Sequence, residues 1–508
     1  MRITGLPLIA FCCGTAAAQT TGTEHWLAYM ENLNLAFNGP PSFAVVVSGE
    51  EATTGSITFP ATGFSLPFTV NAGSSTVVTL PLNTYYPEGD EDIVNKGMRI
   101  TSEAPVAVYA YHDRAYFSEA TQVLPYDLLS ANYTLIAHED DLGSDPSEFV
   151  VLATADSTVV EITPSILTAG FRPPGQPFTV VLNIGEVFQV QAIGDLSGTR
   201  VRSLDENKPI AVFSGARQAN VGCAASADDH LYNQALPETL WGTEHIAVPF
   251  KDRGGDEFRI LAGTDGTQIT IGNQPPVTLN AGATFNVTLS QVTVITATAP
   301  ITVGQFNESQ DCNPNPGDPC FVWNLPAAFE DHRFIWNART GAGTPAHFVN
   351  VLVEGSAGAP PVFLDGVNIA PMFQPVPGVV GTFYAQLAIT EGQHDLQSAA
   401  LLWAVAYGFG DYNSYAFSLG YEEDLSTGSI DMEPATRPAM TPVVTQGETW
   451  PMALRGSGRA VLTLFDPAGR LLFRGPVTGT TPTDLLDGLY LYRLEEGGTV
   501  QQGRLVVR

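Results

Sequence analysis

Residues 148–215 read EFVVLATADSTVVEITP, then PFTVVLNIGEVFQV, then DLSGTRVRSLDENKPIAVFSG. These are short runs rich in Val, Ile, Thr and Phe, cut by Gly, Asp-Ser and Asn turn signals, and they spell antiparallel strands. The succession occurs four times. The opening strand returns as SFAVVVSGE around Phe43, EFVVLATAD around Phe149, EFRILAGTD around Phe258 and HFVNVLVEG around Phe348. The middle hairpin turns at Asn71-Ala-Gly73, Asn183-Ile-Gly185, Asn280-Ala-Gly282 and Thr390-Glu-Gly392, where Gly suits a positive φ. The closing strand is APVAVYAY, KPIAVFSGA, APITVGQF and ALLWAVAYG. Pro105, Pro209 and Pro300 stand at its head, where a residue without an N–H is tolerated.

A repeat of roughly 90–110 residues is the size of one domain. The pattern therefore predicts an all-β chain. It would hold four tandem β-sandwich-like units at about 22–131, 132–241, 242–330 and 331–421, each with six or seven short strands. A closed, propeller-like ring of four β-units is the alternative, because strand counting does not separate the two. Each copy opens on a related strand, Gly22-Thr-Glu-His25-Trp26 or Trp241-Gly242-Thr-Glu-His245, with a weaker form at Glu330-Asp-His332. The Glu-His pairs are read as structural, since they recur inside a strand. Three copies run into Leu-Pro, at Leu124-Pro125, Leu236-Pro237 and Leu325-Pro326.

The 508 residues carry 52 Asp+Glu against 22 Lys+Arg, a net charge of −30. That balance argues against nucleic acid and anionic membranes as partners. Arg2, the apolar run Leu6 to Cys13 and the small residues Ala16-Ala17-Ala18 form a signal peptide over residues 1–18, with cleavage between Ala18 and Gln19. No later apolar run reaches the ~18–20 residues of a membrane-spanning helix. Of the cysteines that remain, Cys312 and Cys320 bracket the loop NPNPGDP and are expected to form a local disulfide, which leaves Cys223 without a partner.

The loops after the closing strands differ between copies, as functional loops on a repeated scaffold do. The binding candidates are Tyr111, His112 and Asp113 in the first copy, Asp228, Asp229 and His230 in the second, and Trp323 in the third. Such residues suit contact with glycan or protein if the loops cluster at one end. Two acidic loops, EGDED (Glu88, Asp90, Asp92) and EDDLGSD (Glu139, Asp140, Asp141), offer oxygen ligands for calcium without the spacing of an EF-hand. No other cofactor is expected. Residues 422–445 are acidic, Pro/Thr-rich and lack strand period, which reads as a linker. A last β-module at 446–508, expected as a small Ig-like sandwich, has hairpin turns at Asp466-Pro-Ala-Gly469 and Glu496-Gly-Gly498.

That module, through Leu464-Phe465-Asp466-Pro-Ala-Gly469-Arg470, Asp487-Gly488-Leu489-Tyr490-Leu-Tyr492-Arg493 and the terminal Gly503-Arg-Leu-Val-Val507, resembles the C-terminal sorting domain of type IX secretion substrates. The resemblance implies outer-membrane translocation by the type IX machinery and a secreted or cell-surface destination. The repeat region resembles the N-terminal region of IgGFc-binding proteins over roughly Gly22 to Phe334, with a looser fourth copy beyond. Its carrying strings are Gly97-Met-Arg-Ile-Thr-Ser102-Glu-Ala-Pro105, Gln122-Val-Leu-Pro125, Asp195-Leu-Ser-Gly198-Thr199, Lys208-Pro-Ile-Ala-Val-Phe-Ser-Gly215 and Asp229-His230 to Trp241-Gly242. The family pattern carries a second cysteine where this chain has Asp228, a departure that again leaves Cys223 unpaired. The resemblance implies an extracellular binding or adhesion region. No G-x-S-x-G elbow, H-E-x-x-H helix or phosphate-binding Gly loop is present, so a non-enzymatic binder is the first expectation. A secreted polysaccharide hydrolase is the alternative. It would need two converging carboxylates in a deep pocket.

Overall fold

The computed structural model describes residues 21–420 except 34–38, 82–84, 141–142, 224–226, 327–330, 342 and 357, and five strands of the C-terminal part. The chain divides into two compact units, Met1–Asp424 and Leu425–Arg508. Among the described residues of the first, every regular element longer than one turn is a strand.

Each repeat is built on one long strand that serves two sheets. In the first repeat, Met98–Asp113 pairs through its first half with Gly22–Leu27 and Thr53–Phe59. Its second half pairs with Ser42–Gly49 and Glu119–Val123. Pro105 sits where the strand passes from one sheet to the other, so its missing N–H leaves no gap in either ladder. Pro300 does the same inside Thr293–Phe306. In these two repeats the proline lies within a strand and does not open one. The second repeat inserts Leu-Asp-Glu-Asn-Lys between the halves. Asp205 accepts the Asn207 N–H and the Lys208 N–H closes on the Asp205 carbonyl, so the strand is cut into Arg200–Ser203 and Ile210–Ala219. There Pro209 does precede a strand. The long strand of the fourth repeat has no proline and runs unbroken over Gly392–Gly410. The first strand of each repeat, Gly22–Leu27, Asn132–Thr134, Gly242–Ala247 or Asp331–Ala338, pairs with the long strand of its own repeat.

The repeats are sandwich-like units, and they are also closed into a ring. The last strand of each unit, Glu119–Val123, Asp229–Gln234, Phe321–Trp323 and Asn413–Ser418, packs against its counterparts in cyclic order about one axis. Polar side chains knit every seam. Between the first and second, the Thr121 hydroxyl donates to Asn233 at 2.8 Å and accepts the Gln234 N–H at 2.9 Å. Between the second and third, Asn233 donates to the Phe321 carbonyl at 2.8 Å and the Trp323 indole to the Gln234 carbonyl at 2.6 Å. Ser418 donates to the Trp323 carbonyl, and Gln122 to the Leu419 carbonyl, closing the circle. The fit is close enough at the perimeter that a Cβ on Gly198 would collide with the Gly282 carbonyl of the next unit. A strand of the first unit's own segment, Ile93–Val94, extends the second unit's sheet along Val187–Ala192.

One carboxylate completes the centre. Glu119 is fully buried and accepts the N–H groups of Ala120, Phe321 and Ala416, at 3.0, 2.5 and 3.3 Å, and that of Tyr232. These four donors come one from each unit. They pair across to Tyr111, Gly215, Phe306 and Tyr407, the same position of each long strand. Burial pushes the pKa of Glu119 well above the usual carboxylate range, while the four N–H donors pull it back.

In the C-terminal unit the described strands form one five-stranded sheet in the order 443–444, 499–507, 488–496, 461–465, 471–476. The strands flanking both expected turns pair antiparallel, and the turns themselves fall outside the described residues.

Candidate functional site

The four loops that lead from each long strand into its inner strand meet at one end of the ring. Asn413 accepts the Ser118 N–H at 2.9 Å and donates to the Arg114 carbonyl, joining the first and fourth loops. Gln310 donates to Asp411 and accepts the Tyr412 N–H at 2.7 Å, joining the third and fourth. Val221 and Ser309 exchange backbone and hydroxyl hydrogen bonds, joining the second and third. Arg253 props the third loop from beneath, donating to the carbonyls of Glu308, Asn315 and Pro316.

The disulfide belongs to this junction. Cys223 bonds to Cys312 with Cα atoms 5.9 Å apart, and Cys320 is a free, buried thiol. The expected Cys312–Cys320 bridge is therefore wrong. Cys320 lies at the head of an inner strand, at the position Glu119 holds in the first unit, with its carbonyl accepting the Asn307 N–H. Cys312 sits in a one-turn element at the loop's outer edge, against the neighbouring unit. Nearness in sequence misled because adjacent loops belong to different units. Cys223 and Cys312 do occupy comparable places in their loops, which is the signal that was available.

Six of the seven binding candidates lie in the interior. The Tyr111 hydroxyl donates to the Asn337 carbonyl at 2.7 Å. His112 is enclosed by Tyr29, Phe43, Tyr86 and His230. Asp113 faces Arg339 at 3.5 Å. Asp229 is fully buried and accepts the N–H of His230, whose Nδ1 donates to the Ala216 carbonyl and whose pKa burial lowers to about 4. Trp323 fills the axial core. These side chains hold the loops up from below and are not on offer to a large partner. Asp228 is half-buried, raised to about 6 first by burial and then by Asp140, Asp145 and Asp311.

The acidic loops are engaged in internal contacts. Asp90 accepts the Gln191 N–H, and Asp140 accepts the N–H groups of Ser144 and Asp145. Glu139 and Asp195 face Arg259, which is 1 % exposed and also donates to the Ala137 carbonyl. Glu88 and Asp92 are exposed. Asp141, Ala18 and Gln19 fall outside the described residues. Among the described residues no three His, Cys, Asp or Glu side chains converge as metal ligands.

What the loop end does expose is aromatic and acidic. Tyr116 and Tyr412 are 47 % and 37 % exposed, and both hold left-handed backbone, φ 70° and 51°. A bulky side chain there costs about 1 kcal/mol or more, a strain that concentrates at functional loops. Asp411 precedes Tyr412 in the chain, and the Tyr412 hydroxyl donates to Asp311 at 3.1 Å. Tyr412 was not among the sequence candidates, because the fourth loop is only a tight turn.

The family model described as IgGFc binding protein matches residues 119–408, more than half of the chain. The chain belongs to that family. The match begins on Glu119 itself and runs through the fourth unit, so it starts later and ends later than the likeness read from the sequence. It takes in the second and third of the four converging loops in full, begins just after the first, and stops before the turn at Asp411-Tyr412. No curated protein matches the chain.

Proposed function

We propose that this member of the IgGFc-binding family is an exported, non-enzymatic binding protein that engages an extracellular protein or glycan through the loop end of its ring. One observation carries the reading. Loops that differ from copy to copy converge at one end, are cross-linked there by Cys223–Cys312, and present Tyr116 and Tyr412 in strained backbone above a buried support. Exposed tyrosines on rigid loops give large contact area at low entropic cost. Family membership supports binding over catalysis. The hydrolase alternative needs an open pocket with converging carboxylates, whereas Glu119, Asp229 and Asp318 are each at most 1 % exposed.

The test is a glycan-array and mucin-binding screen of residues 19–421, with and without calcium, beside a polysaccharide-hydrolysis assay on the same sample. Saturable binding without product is expected, weakened at least about tenfold by Tyr116→Ala with Tyr412→Ala, as for loss of two aromatic anchors. Product formation, or binding indifferent to both substitutions, sinks the reading. Calcium independence is expected, since Asp90 and Asp140 already accept backbone N–H groups.

The C-terminal module is proposed as the type IX sorting tail, on the strength of its sequence likeness. A reporter fused to residues 446–508 should reach the medium or cell surface of a type IX-competent host, and retention inside the cell would refute the assignment.

A further inference from the structure

The ring has four perimeter seams, and two of them can be compared position by position. In the seam between the fourth and first units, Arg333 of the strand Asp331–Ala338 faces Glu50 at the end of a neighbouring strand, with Nη1 to Oε2 at 3.5 Å. Arg333 also makes a two-pronged pair with Asp395, at 3.0 and 2.7 Å. The cavity left there is small, ≈ 20 Å³. In the seam between the third and fourth units, strand register puts Glu244 where Arg333 stands, because Gly242 and Asp331 mark the same irregular step of the first strands of the two repeats. By the same register Glu354 stands where Glu50 does, Val294 where Asp395 does, and Trp403 where Ala107 does.

The seam between the third and fourth units has thus kept the acid and lost the cation. It has two carboxylates, Glu244 and Glu354, and a cavity of ≈ 140 Å³ walled by Ile246, Leu325, Leu352, Val379 and Trp403. Trp403 is 3 % exposed and its indole N–H has no hydrogen-bond partner among the described residues. Neither carboxylate has an ion pair among the described residues. That N–H calls for an acceptor, which a guanidinium lacks, so a partner's backbone carbonyl or a water must supply it.

We propose that this seam is a pocket for an arginine side chain presented by a partner polypeptide. The aliphatic stem lies along Ile246, Leu352 and Val379, and the guanidinium meets Glu244 and Glu354 at the mouth as Arg333 meets Glu50 and Asp395 in the sister seam. A guanidinium fits a pair of carboxylates through its fork of donors and stacks on an indole face, which an ammonium does less well. The pocket lies by the Leu-Pro end of the inner strands, at the other end from the four loops, and does not depend on the loop-end reading.

The test uses the full chain and isothermal titration with N-acetyl-arginine methylamide, with the lysine and norleucine analogues alongside. Saturable, salt-sensitive binding is expected for the arginine compound, weaker binding for lysine and none for norleucine. Glu354→Gln should weaken arginine binding at least about tenfold, the worth of one charged hydrogen-bonded pair. Glu244→Arg copies the sister seam, and should abolish binding while the chain stays folded and unfolds at an equal or higher temperature. If arginine binds no better than norleucine, or binds Glu244→Arg as it binds the parent, the proposal is wrong. Should Glu244→Arg fail to fold, Glu354→Gln still decides it, since unchanged affinity in that variant would also overturn the assignment.

Discussion

Gly22 and Gly242 lie against Pro125 and Pro326 at one end of the ring, with no room for a Cβ, and His25 and His245 are buried beside the same prolines. At the other end, the loops 114–118, 220–228, 307–320 and 411–412 share neither length nor residues. The repeating end is a joint, in which the first and third units meet their own inner strands in the same way, so its sequence is fixed by packing. The varied end is free of that demand on its outer surface, and only its underside is constrained. Repetition in this chain therefore marks scaffold, and departure from repetition marks the surface open to function. The largest test of this contrast lies at the axis, where one inner strand carries a side chain the other three do not.

Glu119 has no carboxylate counterpart in the other inner strands, yet four equivalent N–H groups converge on it. Glu119→Ala leaves those donors buried and unpaired, at a cost of about 3–5 kcal/mol or more. Glu119→Gln keeps the acceptor oxygen and should recover part of the loss. Chemical denaturation of the three proteins measures it. If Glu119→Ala unfolds within ~1 kcal/mol of the parent, the carboxylate is not what closes the ring.

The varied end is next. The Cys223–Cys312 bridge spans 89 residues, and Cys223→Ser should lower stability by about 2–4 kcal/mol and loosen the loops for limited proteolysis. Cys320→Ser touches no bridge and should cost less, about 1–2 kcal/mol for a hydroxyl in a buried thiol's place. Peptide mapping without reduction gives the pairing directly, and a Cys312–Cys320 fragment would reverse the assignment.

The strand-by-strand reading of the sequence carried the fold well because β-branched runs and Asn-x-Gly turns are local signals. The four opening strands begin where Phe43, Phe149, Phe258 and Phe348 foretold, and the Gly73, Gly185 and Gly282 turns all have positive φ. Ring closure was not local. It rests on Thr121, Asn233, Gln122 and Ser418, polar residues whose partners lie up to 297 positions away. The same distance effect hid the disulfide. The candidate site was legible as loops and illegible as residues. His112, Asp229 and His230 look reactive in a string, but alternation along a strand buried on both faces turned them inward.

The two ends also differ in how their buried acids and bases answer to pH, and this is the smallest effect. Asp318, under the loops, is raised by burial to about 7 from 3.8, so folding takes up its proton and its contribution to stability falls as pH rises between those values. His245, at the joint, is lowered by burial to about 4 from 6.5, so its contribution is whole above 6.5 and is lost as pH falls toward 4. His112 and His230, also depressed, lie beneath the loop end as well, so the whole protein's profile mixes the two signs and single variants are needed to separate them. Asp318→Asn should gain on the parent between about pH 5 and pH 8, and His245→Gln should gain on it between about pH 6.5 and pH 4.5, each by ~2 °C in Tm for roughly 1 kcal/mol. Asparagine at 318 can still accept the Gln310 N–H, and glutamine at 245 can still donate to the Asn324 carbonyl, so titration is the main property removed. Thermal melts across that range decide it, and equal slopes for parent and variants would mean that neither group is held away from its ordinary acidity by burial.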